Sequence, residues 1–237
     1  MIAAGGFAAY LALSLRDWAR LDSPSFDLAI FTQIIQGYAH LSAPVVDIKG
    51  PGFNAFGDHF SPLLALLAPF YRVFPTPVTL LVAQCVLVAF SAVPLGWAAR
   101  RRLGKWPAIA LTCAYILSWG LQSGIAVQFH EYALAVPLLA LALVWFIEEH
   151  WIATAITAGL LIGVKEDLVF TAGALGLALV GAGWAGRHRT MDDAAPTPRT
   201  MHDAAPTPRT MHDPAPPPRT LHDAAPTPPP KPAAAPT

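Results

Sequence analysis

The sequence predicts an all-α, polytopic membrane protein of about six spans. Of its 237 residues, 54% are hydrophobic and only 13% are charged, which is roughly half the charge of a typical soluble domain. In the first 184 residues, every strongly polar cluster stands at the end of an apolar run. Because a lipid environment leaves backbone polar groups without water, such runs are expected to form helices. The formal net charge is zero, so the chain lacks the excess of basic residues typical of nucleic-acid-binding proteins, and we exclude nucleic acid as a partner.

The apolar runs differ in length. Met1–Leu15 predicts a first helix that is shorter than the roughly 20 residues of a full span. Two later runs are long enough to cross, and three shorter ones can be completed by flanking residues or by neighbouring helices. The five predicted spans after the first helix are Val78–Ala99, Pro107–Val127, Tyr132–Ile147, Trp151–Val164 and Leu168–Trp184.

One apolar run is not counted as a span. Ser61–Phe74 has only fourteen residues, contains Pro62 and Pro69 and is followed by Pro75. If it crossed the membrane, Arg100–Arg102 would lie outside, against the rule that basic residues flank spans on the cytoplasmic side. We therefore predict an interfacial or re-entrant segment within a large external loop of residues 16–77. The basic clusters and the turn at Glu148-Glu149-His150 are then cytoplasmic. Four polar clusters lie on the external face of the plasma membrane: Asp27, Asp58-His59, His130-Glu131 and Lys165-Glu166-Asp167.

The chain changes character near residue 187. From Arg189 a decapeptide rich in proline repeats four times, followed by Pro/Ala-rich sequence to Thr237. Proline at this density prevents regular helices, so the segment is expected to be disordered. We predict two regions: a transmembrane module over residues 1–186 and a disordered, cytoplasmic tail over residues 187–237.

Asp27 lies near the start of a predicted helix, Ser25–His40. At 100° per residue, Phe31, Ile34 and Tyr38 fall within about 40° of Asp27, so the carboxylate belongs to the apolar stripe. A carboxylate in that position suits a general base or a cation ligand. The alternative is that Asp27 complements the helix dipole in the first turn.

Three further clusters are candidates for the same site. Asp58-His59 offers an acid/base or metal-ligand pair, and His130-Glu131 stands between two aromatic residues. Lys165-Glu166-Asp167 could bind phosphate through the lysine while its carboxylates hold a divalent cation or orient a hydroxyl. The alternative is a solvated loop for Asp58-His59, helix-end solvation for His130-Glu131 and mutual charge compensation for Lys165-Glu166-Asp167. Asp58 and Asp167 are the predicted metal ligands.

Four separated motifs resemble those of the DUF2079 family of predicted multi-pass bacterial membrane proteins. They cover about residues 1–184 and read, in order, Ser25-Phe26-Asp27-Leu28-Ala29-Ile30-Phe31-Thr32-Gln33, Gly57-Asp58-His59-Phe60-Ser61-Pro62, Phe129-His130-Glu131 and Lys165-Glu166-Asp167. That family distantly resembles the GT-C glycosyltransferases, which transfer a sugar from a polyprenyl-phosphate carrier on the outer face. The resemblance implies that Asp27 is catalytic. It also implies that substrate is bound by Lys165, at the lipid phosphate, and by His59, His130, Glu131 and Glu166.

Three functional hypotheses follow. The first is a GT-C-like glycosyltransferase in the lipid bilayer, acting on a polyprenyl-phosphate sugar. The second is a transporter or lipid-handling protein whose external charges form an entry site. The third is a non-catalytic, truncated remnant, because members of the resembled family continue for further spans whereas the apolar region here stops after Trp184.

Overall fold

The structure, a computed structural model, describes residues 1–22 and 26–194, with residues 185–194 in backbone only. These residues form nine α-helices and four short 3-10 segments, and their only extended pairing is an isolated bridge between Val45 and Asn54. Almost all of them belong to one unit, Met1–Asp192. The prediction of an all-α membrane protein is confirmed. The first residues of the predicted disordered tail, 187–194, belong to a helix that ends at Ala194, and the tail from residue 195 onward lies outside the described residues.

The helices follow the apolar runs of the sequence closely. In chain order they are α1 Ile2–Ala19, α2 Asp27–Ala39, α3 Ala68–Val73, α4 Pro77–Leu103, α5 Lys105–Ile116, α6 Trp119–Ala126, α7 Tyr132–Ile147, α8 Trp151–Ile162 and α9 Val169–Ala194. The 3-10 segments are Asp47–Lys49, Ala55–Gly57, Pro62–Leu67 and Glu166–Leu168.

Three helical segments of the described chain are long and apolar enough to cross a membrane: Pro77–Leu103, Lys105–Ala126 and Glu166–Trp184. Three shorter apolar helices accompany them, Pro62–Val73, Tyr132–Ile147 and Trp151–Ile162. Shorter helices need help from neighbours or local thinning to complete a crossing. The total of six spans and the sidedness of the clusters stay predictions.

Several predicted boundaries are wrong. The first helix does not end at Leu15 but continues to Ala19, because an α-helix carries polar residues at its end as readily as apolar ones. The predicted span Pro107–Val127 is divided into α5 and α6, since Ser118 adopts an extended backbone. The carbonyl of Leu117, which loses its helical partner there, accepts a hydrogen bond from the Gln122 side chain at 2.7 Å.

Helix α4 is the centre of the described unit and contacts α1, α5 and α7. Thr76 caps its N-terminus by accepting a hydrogen bond from the Val78 amide, and Pro77 occupies the first turn. Leu80 and Leu81 are fully buried near this end, in a core shared with α2, α7 and α8. This packing fixes the helix ends that carry the polar clusters.

The segment predicted as interfacial, Ser61–Phe74, folds as the 3-10 segment Pro62–Leu67 followed by α3. Leu64, Leu67 and Tyr71 are buried in the core, whereas Leu66 and Phe70 are largely exposed. The segment therefore packs one face against the protein and presents a second apolar face outward. That arrangement suits a helix lying at a membrane surface, and its interfacial location stays a prediction.

Candidate functional site

Four parts of the chain meet around one small polar cavity of about 80 Å³. They are the first turns of α2, the loop before Pro62, the start of α7 and the connection between α8 and α9. Six of the predicted site residues line it: Asp27, Asp58, His59, His130, Glu131 and Lys165. Glu166 and Asp167 do not line the cavity. Glu166 contacts His59, and Asp167 contacts Tyr132, which follows Glu131 in the chain. Typical small-molecule sites measure roughly 300–1,000 Å³, so this cavity is too small for a whole molecule of that class.

Asp27 faces His130 across this cavity. Asp27 stands in the first turn of α2, and Oδ2 lies 3.8 Å from His130 Nδ1. The imidazole stacks on the ring of Tyr132, with centroids 6.0 Å apart, and meets the edge of the Phe31 ring at 5.3 Å. As the helical wheel indicates, Phe31 and Ile34 of the same stripe are buried. The two polar side chains remain about one-third exposed, so a ligand can reach both.

Lys165 and Glu131 form a buried ion pair. The Nζ–Oε1 distance is 2.9 Å, and Glu131 is only 1% exposed. The ammonium also lies 4.6 Å above the ring of Tyr132. Burial by itself lowers the pKa of Lys165, but the hydrogen bond and negative charge of Glu131 outweigh it and raise that pKa well above its usual value. Lys165 is therefore a fixed positive charge at physiological pH.

The loop before Pro62 is tied to the rest of the site by two contacts. His59 Nδ1 lies 2.8 Å from Glu166 Oε1, and the backbone N–H of Phe60 donates to Glu166 Oε2 at 3.0 Å. Within the loop, Lys49 forms an ion pair with Asp58. The hydrogen bond from Lys49 holds the pKa of the Asp58 carboxyl below its usual value.

The predicted metal ligands lie in separate contacts. Asp58 pairs with Lys49, and Asp167 accepts a hydrogen bond from the Tyr132 hydroxyl. In the described part of the chain, no group of three or more His, Cys, Asp or Glu residues is arranged to hold a metal ion. The residues present therefore do not form a protein cage for a divalent cation, and the metal role of Asp58 and Asp167 stays a prediction.

Three buried polar atoms of the described residues have no hydrogen-bond partner, and all three belong to residues that line this cavity. They are Ser61 Oγ, His130 Nδ1 and Glu131 Oε2. Buried polar atoms in native proteins are nearly always paired, with protein or with water. Their concentration at one cavity indicates a place built to receive water or a polar ligand.

The sequence patterns do not identify three residues that belong to this site or contact it. Lys49 and Ser61 line the cavity, and Gln84 of α4 accepts a hydrogen bond from the backbone N–H of His130, which lines it. Gln84 is 3% exposed; its amide donates to the Gly124 carbonyl at 2.9 Å and its Oε1 accepts from the His130 backbone at 3.2 Å. A glutamine within an otherwise apolar span was a signal, because a buried amide needs partners.

The fold and the site define a class: a helical integral membrane protein with a charged cavity at the ends of its apolar helices. Residues 18–191 match the model of the family described as predicted membrane protein (DUF2079), and the chain belongs to that family. Neither the comparison with curated proteins nor the comparison with solved structures gives a match.

Proposed function

We propose that this protein takes part in glycosyl transfer of the GT-C type, using a polyprenyl-phosphate sugar at the outer face of the plasma membrane. The observation that carries the proposal is the pairing of Asp27 with His130 at a cavity beside apolar helices. A carboxylate next to an imidazole is suited to general acid–base catalysis. The neighbouring lysines are held by Glu131 and Asp58, so they contribute fixed charge and not proton transfer.

In the proposed reaction, Asp27 accepts the proton of the acceptor hydroxyl. The acceptor oxygen forms a bond to the anomeric carbon of the sugar, and the bond from that carbon to the phosphate oxygen breaks with inversion. Polyprenyl phosphate leaves with the electron pair, and Lys165 stabilises its negative charge. The imidazole of His130 stands beside this carboxylate, with Nδ1 3.8 Å from Asp27 Oδ2.

The charge of the cluster sets a condition on this reaction. Five carboxylates (Asp27, Asp58, Glu131, Glu166 and Asp167) stand against two lysines, so the cluster is negative while its two histidines are neutral. A phosphate would be bound more tightly once a cation accompanies the substrate. No step of the proposed reaction passes through a metal.

The test is transfer of labelled sugar from a polyprenyl-phospho-sugar by the purified full chain in liposomes. Asp27→Asn keeps the shape of the side chain and removes the base, and it should lower the rate by about 10²-fold or more. The control is Asp47→Asn, because Asp47 is exposed, accepts the Gly52 amide and does not line the cavity. Equal rates for Asp27→Asn and the natural protein would remove Asp27 from the mechanism. Absence of transfer by the natural protein would favour the transporter or non-catalytic hypothesis.

A further inference from the structure

A second, apolar cavity of about 210 Å³ adjoins the polar one. It lies among residues of α4, α6 and α7, within segments that are apolar enough for the bilayer. His130 lines both cavities, and Tyr132, on which the imidazole stacks, lines the apolar one. These two rings therefore divide a charged compartment from a hydrocarbon-like compartment. A molecule that occupies both must have a polar end and an apolar chain.

The α6 side of this cavity is open to the surroundings. Gly120 and Gly124 line it, both are exposed, and a Cβ added to either would meet nothing within 4 Å. Val127 at the end of α6 is 44% exposed. Because α5 and α6 together form a candidate span, the opening faces the place where bilayer lipid would lie. A lipid would then enter the cavity directly from the bilayer, without passing through water.

The walls of this cavity are fixed by polar contacts rather than by a ligand. Gln84 joins α4 to the Gly124 carbonyl of α6 and to the His130 backbone before α7. The extended backbone of Ser118 separates α6 from α5. The cavity is therefore part of the helix packing, as ligand sites usually are.

We propose that this apolar cavity holds the first segment of a single isoprenoid chain, with the phosphate of the same lipid at His130 and Lys165. The inference rests on the proposed function for the identity of the lipid. Its own support is the junction of the two cavities at His130 and the size of the apolar one. A cavity below the roughly 300–1,000 Å³ of a drug-sized site suits one chain, and polyprenyl phosphate has one chain whereas a phospholipid has two.

The test uses a benzophenone-bearing geranylgeranyl phosphate with the full chain in liposomes of neutral phospholipid. Irradiation should label peptides of α6 and the start of α7, and unlabelled geranylgeranyl phosphate should suppress the labelling. Gly124→Leu fills the opening and should weaken the competition by about tenfold in concentration. Leucine is a better helix former than glycine, so helix propensity does not explain a loss.

Two controls separate the outcomes. Gly159→Leu, in α8, replaces another exposed helical glycine with nothing within 4 Å and should leave the labelling unchanged. Asp47→Asn, which lines neither cavity, should also leave it unchanged, and labelling measured without any sugar donor distinguishes loss of lipid binding from loss of transfer. Labelling spread over all exposed apolar helices, no effect of Gly124→Leu, or equal competition by dioleoyl phosphatidic acid would each overturn the proposal.

Discussion

At the scale of single residues, Glu131 shows how the site is organised. It is 1% exposed, one carboxylate oxygen meets Lys165 at 2.9 Å, and the other has no hydrogen-bond partner. Burying a carboxylate costs several kcal/mol, and a single close cation offsets only part of that cost. Glu131 Oε2 therefore lacks a hydrogen-bond donor. A hydroxyl-bearing ligand or water in the cavity can supply it.

Removing one partner of the Lys165–Glu131 ion pair should lower the free energy of unfolding. Glu131→Gln leaves Lys165 charged and largely buried, and we expect a loss of about 3–5 kcal/mol of stability. Thermal unfolding in detergent, followed by tryptophan fluorescence, measures it. Lys165→Met combined with Glu131→Gln should lose less than the sum of the two single variants, because no buried charge remains unpaired.

The comparison for that cycle is the pair of Arg101 and Glu148 at 3.3 Å, whose cation is exposed although its carboxylate is only 12% exposed. Arg101→Met should cost about 0–1 kcal/mol, since the arginine is 58% exposed and water screens the pair. Equal losses for Glu131→Gln and Arg101→Met would show that burial adds nothing to the Lys165–Glu131 interaction.

The same pair predicts a response to alkaline pH. The pKa of Lys165 is raised in the folded protein above its ordinary value of 10.5. Its contribution is therefore fully present below about pH 10.5 and is lost as pH rises through the folded pKa. We expect the difference in unfolding temperature between the natural protein and Lys165→Met to stay constant from pH 7 to about pH 10. Above that pH, the unfolding temperature of the natural protein should fall more than that of Lys165→Met, as measured up to pH 11. Parallel curves for the two would contradict the assignment.

At the scale of helices, the site depends on where each element ends. The sequence predicts α7 with both of its boundaries, Tyr132 and Ile147, because a continuous apolar run is bounded by polar clusters on both sides. It does not predict the break between α5 and α6, because Ser118 is compatible with a helix and periodicity does not detect a single extended residue. The apolar cavity beside His130 depends on that break.

Close packing of α4 on α5 depends on Gly96. A Cβ at this position would lie 2.7 Å from Thr112 Oγ1, which is itself buried and donates to the Ala108 carbonyl at 2.6 Å. Gly96→Val should therefore lower stability by about 1–3 kcal/mol through overpacking. Gly173→Val, where an added Cβ meets nothing within 4 Å, is the control with the same change in helix propensity. Similar unfolding temperatures for the two variants would show that α4 and α5 can move apart freely.

At the scale of the whole molecule, the polar cavity and the basic cluster of Arg100–Arg102 lie at different helix ends. The cavity stands before α7, whereas the arginines end α4 near the turn after α7, where Arg102 donates to the Ile147 carbonyl at 2.6 Å. Since α7 separates the two locations, they should face opposite sides of the membrane. From the positive-inside rule we expect the arginines to lie on the cytoplasmic side.

Cysteine labelling of sealed cells tests that topology. In a Cys85→Ala, Cys113→Ala background, an impermeant maleimide should label His59→Cys from outside and should label Arg102→Cys only after the cells are opened. Both positions are exposed in the structure, so lack of labelling reports the membrane barrier and not burial. Labelling of Arg102→Cys in sealed cells would place the cavity in the cytoplasm and would contradict the proposed external reaction.

The sequence by itself determines that this is a helical membrane protein, and it indicates which polar clusters matter. Hydrophobicity and helix ends are local properties, which a single chain displays without its partners. Only the tertiary structure decides which clusters meet. His59 and Glu166 are 107 residues apart in the chain, and neither periodicity nor spacing relates them. The same holds for Lys49 and Gln84, which contribute to the site, and for the apolar cavity beside His130. Such contacts follow from how distant helix ends pack together, because each buried charge must find its partner within the folded molecule.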